Sequence, residues 1–448
     1  MRTLLIFATG NKSVKDFLNN FSDEVVTLNK NFKKLFFQIL INDKKLFLDI
    51  CKGLFFKPIT LISDIIFILS KRDPFYNSIR NTILDSLERE TGELCTKDLS
   101  TNYLIKKFPN FIRKSIKLLL FIFLVEKVII NKKIKCIFIP QLDGDPFAVI
   151  SSLCVQRNIY IGSFSEWSSS NSSLPNILIT CRKGINNERI ALPHDLKKLE
   201  KITNEKLKYT IDTLRDNYVQ KKDPICNTET DLKKINNEKL IKYYKKLTNN
   251  GKKNVVVLLH VFTDQARIRL VDSWYENYLD WFIETAKFCK ENNNVNWIFK
   301  AHPYENLYPI KDIHSKFVIN TIKKNNHIYI GSDKQFLHGE IAELASAIVT
   351  CTGTCKIEYP ALFEIPVISC IGKYALYETS KQPFTATNKS EYRELILNID
   401  QFKLDKKQIR KAKELLYFFK KSSGVSIKEK QKVFKHFDEN GRVVFRNF

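Results

Sequence analysis

The chain has 448 residues, 44% of them hydrophobic, enough for ordinary cores and a length that suggests two domains. Lys and Arg number 73 against 48 Asp and Glu, a formal charge of +25, which points to a polyanionic partner such as nucleic acid, anionic lipid or acidic glycan. The same Lys, Asn, Ile and Phe enrichment is what an AT-rich genome writes, and no nucleic-acid-binding signature accompanies the charge.

No apolar run reaches the roughly 18 residues of a membrane span, and the longest candidate, Leu118 to Ile130, is broken by Glu126 and Lys127. The opening Met1-Arg2 leads into an apolar stretch too short for a secretory leader. The 10 cysteines include no C-x-x-C pair and are expected as reduced thiols of a cytosolic protein.

Thr3 to Thr9 reads as a strand, Val14 to Phe21 as a helix capped by Ser13, and Glu24 to Leu28 as a second strand, together a βαβ opening. Phe32 to Lys71 carries Phe, Leu and Ile at helical spacing among lysines. Gly53 and Pro58 are expected to break it, and its helices either pack on a sheet or lie on an anionic membrane. Ile112 to Ile130 predicts a buried helix. Cys136 to Ile139 predicts a strand, Phe147 to Gln156 a helix, and Ile159 to Gly162 the next strand. A polar, charged stretch from Thr203 to Lys253 is expected to carry the linker.

The second half starts again with Asn254 to His260, a Val and Leu run typical of a parallel strand buried on both faces. Trp274 to Glu291 predicts a helix, and Val295 to Lys300 and His327 to Ile330 predict strands. Ile348 to Thr350 predicts a further strand, followed by the small-residue turn Thr352-Gly353-Thr354, a helix from Lys356 to Phe363 and the strand Pro366 to Ser369. The last 48 residues hold 14 Lys and Arg against 5 Asp and Glu, with a helix expected from Lys406 to Lys421. The expected organisation is a first α/β domain over 1–245, a second over 252–400, and a basic helical tail over 401–448.

In an open α/β sheet, ligands bind at the carboxyl ends of strands, over helix N-termini. His302, the Thr352 to Thr354 turn and Gly372 all fall at such ends. An imidazole there suits donation of a hydrogen bond or proton to a leaving phosphate, and Lys300 adds charge two residues earlier. The Thr352-Gly353-Thr354 turn offers backbone N–H groups and hydroxyls to phosphate. Glu358, just behind it, offers a carboxylate to ribose hydroxyls. Each feature also has a plainer use, as a loop histidine or a helix cap.

Their order and spacing resemble the capsule polysaccharide biosynthesis family, the Kdo-transferase-like glycosyltransferases of GT-B architecture. The matching segments are Val261-Phe262-Thr263-Asp264, the tryptophan-bearing Tyr278 to Thr285, and Asn296 to Pro303 ending Lys-Ala-His-Pro. Thr354 to Glu358 and Glu364-Ile365-Pro366-Val367-Ile368 complete the set. They span Val257 to Tyr377, about a quarter of the chain. Gly353-Thr354 stands where the family tends to have Ser-Thr, and Glu364 where Gly is usual.

The resemblance implies two Rossmann-like domains facing each other across a cleft. It implies a CMP- or UDP-sugar as substrate rather than cofactor, held by the second domain through His260, Lys300, Thr352, Gly353, Thr354, Glu358 and Gly372. No catalytic metal is expected, because the second domain has no D-x-D beside a strand and no His or Cys cluster at ligand spacing. The acceptor, a glycan or lipid-linked chain, would lie against the first domain. By analogy with sialyltransferases of this architecture, Asp143-Gly144-Asp145 would supply the catalytic base, with Asp143 preferred, Asp145 doubling as a helix cap before Pro146, and Glu166 a fallback. Separately, the basic surface of the tail and the Phe32 to Lys71 helices is expected to hold the protein at the inner face of the cell membrane, near a lipid-linked acceptor. Glycerophosphotransferases and nucleotide-sugar epimerases use the same architecture. A non-enzymatic nucleic-acid- or membrane-binding protein is the alternative that the charge alone suggests.

Overall fold

The computed structural model describes residues 3–7, 24–28, 32–70, 73–93, 100–134, 136–139, 146–157, 159–163, 180–182, 204–219, 238–264, 267, 273–307, 311–323, 326–333, 336–370 and 384–422. The chain divides into two compact units. Unit 1 comprises Met1–Glu90, Leu99–Asn187 and Ser423–Phe448; unit 2 comprises Thr91–Asp98 and Glu188–Ser422.

Unit 1 is a five-stranded sheet with helices. Its strands are β1 (Thr3–Phe7), β2 (Glu24–Leu28), β3 (Cys136–Ile139), β4 (Tyr160–Ser163) and β5 (Thr180–Arg182), in the order β2-β1-β3-β4-β5. All pairings are parallel except that of β5 with β4. Between β2 and β3 the chain inserts four helices, α1 (Phe32–Asn42), α2 (Lys44–Ser70), α3 (Pro74–Thr91) and α4 (Ser100–Asn131); α5 (Phe147–Gln156) links β3 to β4.

The helix α2 runs unbroken through Gly53 and Pro58, where the sequence suggests a stop. Gly53 serves packing instead: a Cβ there would lie 2.5 Å from the Phe123 ring of α4, so its absence lets the two helices approach closely. The break falls earlier, at Asp43, whose side chain caps α2 by accepting from the Leu46 N–H at 2.9 Å. The helix α4 is likewise longer than expected and carries Pro109 inside it.

Unit 2 contains α6 (Asn204–Val219), α7 (Glu238–Leu247), β6 (Lys253–Leu258), α8 (Tyr278–Glu291), β7 (Val295–Lys300), α9 (Lys311–Ile322), β8 (His327–Ile330), α10 (His338–Leu344) and β9 (Ala347–Thr350). It continues with α11 (Cys355–Leu362), β10 (Val367–Cys370), β11 (Thr385–Ala386), α12 (Lys389–Leu397) and α13 (Lys406–Ser422). The six strands are all parallel in the order β11-β10-β9-β6-β7-β8. Counted from β6, that is the doubly wound 3-2-1-4-5-6 order, whose direction reverses between β6 and β9.

The strand sequences explain the layering. Successive side chains point to opposite faces, and both faces of this sheet are covered. Val255, Val257, Trp297, Phe299 and Val349 join one core with Trp281 and Phe282 of α8. Val256, Ile298 and Ile348 join the other with Tyr359 of α11 and Leu344 of α10. Hence β6, β7 and β9 read as continuous apolar runs. The fold class is therefore α/β with two Rossmann-like units, as the sequence suggests.

The helix α13 is docked rather than extended. Ala412, Leu415 and Leu416 bury against Leu207 and Ile211 of α6 and Ile357 and Ala361 of α11, leaving Lys406, Lys407 and Lys411 exposed. Among the described residues, no helix is long and apolar enough to cross a membrane.

Candidate functional site

The site-bearing end of unit 2 follows from strand register. Leu258 pairs with Lys300 on one side and with Thr350 on the other. Two residues further on, His302, His260 and Thr352 therefore leave the sheet at one level, at the carboxyl ends of the neighbouring strands β7, β6 and β9. The switch in strand order lies between β6 and β9, which is where an open α/β sheet opens a crevice for ligand.

His260 and the β9 turn are in direct contact. The Thr352 N–H donates to His260 Nε2 at 3.4 Å, and the Thr350 hydroxyl lies 3.3 Å from the same nitrogen. Acceptance from an amide makes Nε2 the unprotonated nitrogen of a neutral ring. That ring stacks on Tyr278 at 4.1 Å and 10°, and Trp281 meets it edge-on at 5.8 Å. Tyr278 also reaches the Thr352 hydroxyl, 3.4 Å away. Trp281 is held in turn through its indole N–H, which donates to the Tyr392 hydroxyl at 2.8 Å, while Thr285 lies 3.0 Å from the same oxygen. The aromatic wall behind His260 is thus fixed by a buried polar network.

The turn itself depends on Gly353, whose φ of 111° lies in the left-handed region. A Cβ at Gly353 would meet nothing within 4 Å, so backbone conformation alone demands glycine. Thr354 starts α11 and donates its hydroxyl to Glu358 at 2.9 Å. Glu358 is buried, and one of its oxygens is committed to that bond rather than open to a ribose. Behind the turn, buried Lys356 donates to the Cys370 carbonyl at 2.7 Å, tying the start of α11 to the end of β10.

His302 is half-buried and opens a 3₁₀ turn, Pro303–Leu307. Its Nδ1 accepts from the Tyr304 N–H at 3.1 Å, and its carbonyl accepts from Glu305 N–H at 3.0 Å. In the neutral ring the hydrogen therefore sits on Nε2, the form that donates to a phosphate oxygen. Beneath it, Lys300 is 3% exposed and donates to the carbonyls of Ala301 at 2.8 Å and Gly331 at 3.4 Å. Burial pulls its pKa down to about 8, against the upward pull of Glu305 and Asp333. Glu305 also anchors the turn to α9 through His314 Nδ1 at 2.9 Å, a buried pair.

The structure thus joins His260 with Thr352, and Thr354 with Glu358, and sets His302 at their level. Asp143, Asp145, Glu166 and Gly372 lie outside the described residues. Tyr278 and Lys356 lie inside the segments Tyr278 to Thr285 and Thr354 to Glu358, but the pattern gives neither the stack on His260 nor the tether to Cys370; Tyr278 is 18 positions from its partner. Among the described residues no group of three His, Cys, Asp or Glu side chains could hold a metal ion.

No family model matches the chain, and no curated protein does. Solved structures similar to it include UDP-GlcNAc 2-epimerase from Neisseria meningitidis, 12% identical over 93% of this chain and 98% of that one, with a TM-score of 0.31. The UDP-GlcNAc 2-epimerase from Methanocaldococcus jannaschii is 14% identical over 94% and 100%, also at 0.31. A Thermobaculum terrenum O-GlcNAc transferase mutant is 12% identical over 40% of this chain and 34% of its own, at 0.24.

Proposed function

We propose that this chain is a glycosyltransferase that moves a sugar from a CMP- or UDP-activated donor to a glycan or lipid-linked acceptor in surface polysaccharide synthesis, on the cytoplasmic side. The supporting observation is the convergence of His260, His302 and Thr352 at the carboxyl ends of β6, β7 and β9, beside the strand-order switch. Of these, His302 lies in a segment that resembles the capsule polysaccharide family, and Thr354, two residues past Thr352, opens another.

In this account the donor diphosphate or monophosphate lies over the Thr352 to Thr354 turn. The bond between the sugar's anomeric carbon and the phosphate oxygen breaks, the phosphate takes the electron pair, and His302 Nε2 donates to the leaving oxygen. An acceptor hydroxyl attacks the anomeric carbon as Asp143 takes its proton, with Asp145 or Glu166 the fallback base. His302→Ala then loses turnover by roughly 10²-fold or more while its melting temperature stays near wild type. The test is thermal stability against a panel of UMP, UDP, CMP, CDP and their sugar conjugates, followed by transfer assays on the conjugate that binds. A bound ligand raises the melting temperature by mass action. An isomerised sugar nucleotide with no acceptor product would reassign the chain to an epimerase. Normal turnover in His302→Ala would remove His302 from the chemistry.

A further inference from the structure

Unit 1 carries an exposed apolar face that its own core does not use. Seven of the fourteen exposed large apolar side chains among the described residues lie on just two helices, α1 and α2. On α1, Phe37 and Ile41 follow Lys34 at helical spacing, and Ile41 is 74% exposed. On α2, Leu48, Ile62, Ile66 and Leu69 fall within about 60° of one line at 100° per residue, with Ile62 67% and Ile66 59% exposed. The opposite side of α2, at Leu46, Ile50 and Ile68, is buried.

The same outward line carries the exposed Lys44 and Lys52. Acids are kept off it. Asp49 stands about 100° round from Leu48. Asp64 faces inward, where it pairs with Lys57 at 2.7 Å and the Tyr76 hydroxyl at 2.6 Å. Lysines beside isoleucines and phenylalanine, without carboxylates, match a bilayer interface with anionic headgroups: the apolar groups enter the acyl boundary and the ammonium groups stay with the phosphates. The helix α2 is not apolar enough to cross, so it would lie in the interface plane.

From this arrangement we infer that the outer faces of α1 and α2 dock the protein on an anionic lipid surface. The inference does not depend on the proposed transfer reaction. Its test is flotation of the full chain with phosphatidylcholine vesicles and with vesicles containing a quarter phosphatidylglycerol. Wild type floats with the anionic vesicles and not with the neutral ones. Lys44→Glu with Lys52→Glu weakens partition by roughly fivefold or more for each lysine, and Ile62→Asp with Ile66→Asp by roughly tenfold or more for each isoleucine. Both variants keep the wild-type melting temperature, because the altered side chains are solvent-exposed. Equal flotation on neutral lipid, or flotation unaffected by the Ile62 and Ile66 changes, would overturn the inference. So would absence of flotation together with a dimer that the apolar variant dissociates, which would give the face to a second copy of the chain, or capture by DNA in place of vesicles.

Discussion

Lys300 gives the sharpest physical test of the site's floor. Its ammonium is buried among backbone carbonyls at the end of β7, directly before Ala301 and His302. Burial brings its pKa from 10.5 to about 8. Between those values the unfolded chain holds a proton that the native lysine has released, so stability must rise with pH across the window from about 8 to 10.5. Integrating the two titration curves from pH 7.5 to 9.5 gives a gain of about 2 kcal/mol. The perturbation is Lys300→Met, similar in length and without charge. Urea unfolding of both proteins at the two pH values isolates the lysine, because the tyrosine and cysteine titrations are shared and cancel in the difference. Wild type should gain about 2 kcal/mol relative to the variant. Two curves that stay parallel within about 0.5 kcal/mol would mean that Lys300 is not desolvated in the native protein.

Tyr392→Phe removes a fully buried hydroxyl that accepts from Trp281 and meets Thr285. Two polar groups lose their partner, so urea unfolding should show a loss of roughly 2–4 kcal/mol; a loss under about 0.5 kcal/mol would show that the network contributes little. Asp143→Asn should keep nucleotide affinity within about twofold and cut sugar transfer roughly 10²-fold or more. If Asp143→Asn transfers normally while Asp145→Asn or Glu166→Gln fails, the base moves to that residue. Transfer is also expected to survive EDTA; loss with a chelator and recovery with Mg²⁺ or Mn²⁺ would contradict metal independence.

Much of the second unit is legible in the sequence because its central strands are covered on both sides. Val255, Val256 and Val257 alternate between two cores, so the run needs no polar interruption and reads as a buried parallel strand. Helix limits were harder wherever tertiary packing decides them. Gly53 resembles a breaker until the Phe123 ring of α4 is seen against it. Glu364 stands where a glycine is usual, and the reason is visible: its φ of 58° is left-handed, a backbone that favours glycine. Its pairing with Lys413 at 3.0 Å crosses to α13, a long-range contact no local pattern announces.

At the site, strand ends were readable and contacts were not. His302 and the Thr352 to Thr354 turn are marked by their places after apolar strands. The stack of His260 on Tyr278 joins two elements separated by a loop, and the Glu358 carboxylate is drawn to Thr354 by the geometry of one helical turn. Lys300 looks from sequence like a phosphate ligand; its depth below the strand end directs it to Ala301 and Gly331.

The central claim is that a pyrimidine nucleotide binds unit 2 at the carboxyl ends of β6, β7 and β9. Calorimetric titration of UDP and CMP into wild type, His260→Ala and His302→Ala tests it directly. The account predicts saturable binding of one of the two nucleotides to wild type, weakened roughly tenfold or more in both variants as hydrogen bonds to a charged phosphate are lost. No heat with either nucleotide, or binding that neither substitution alters, would contradict it.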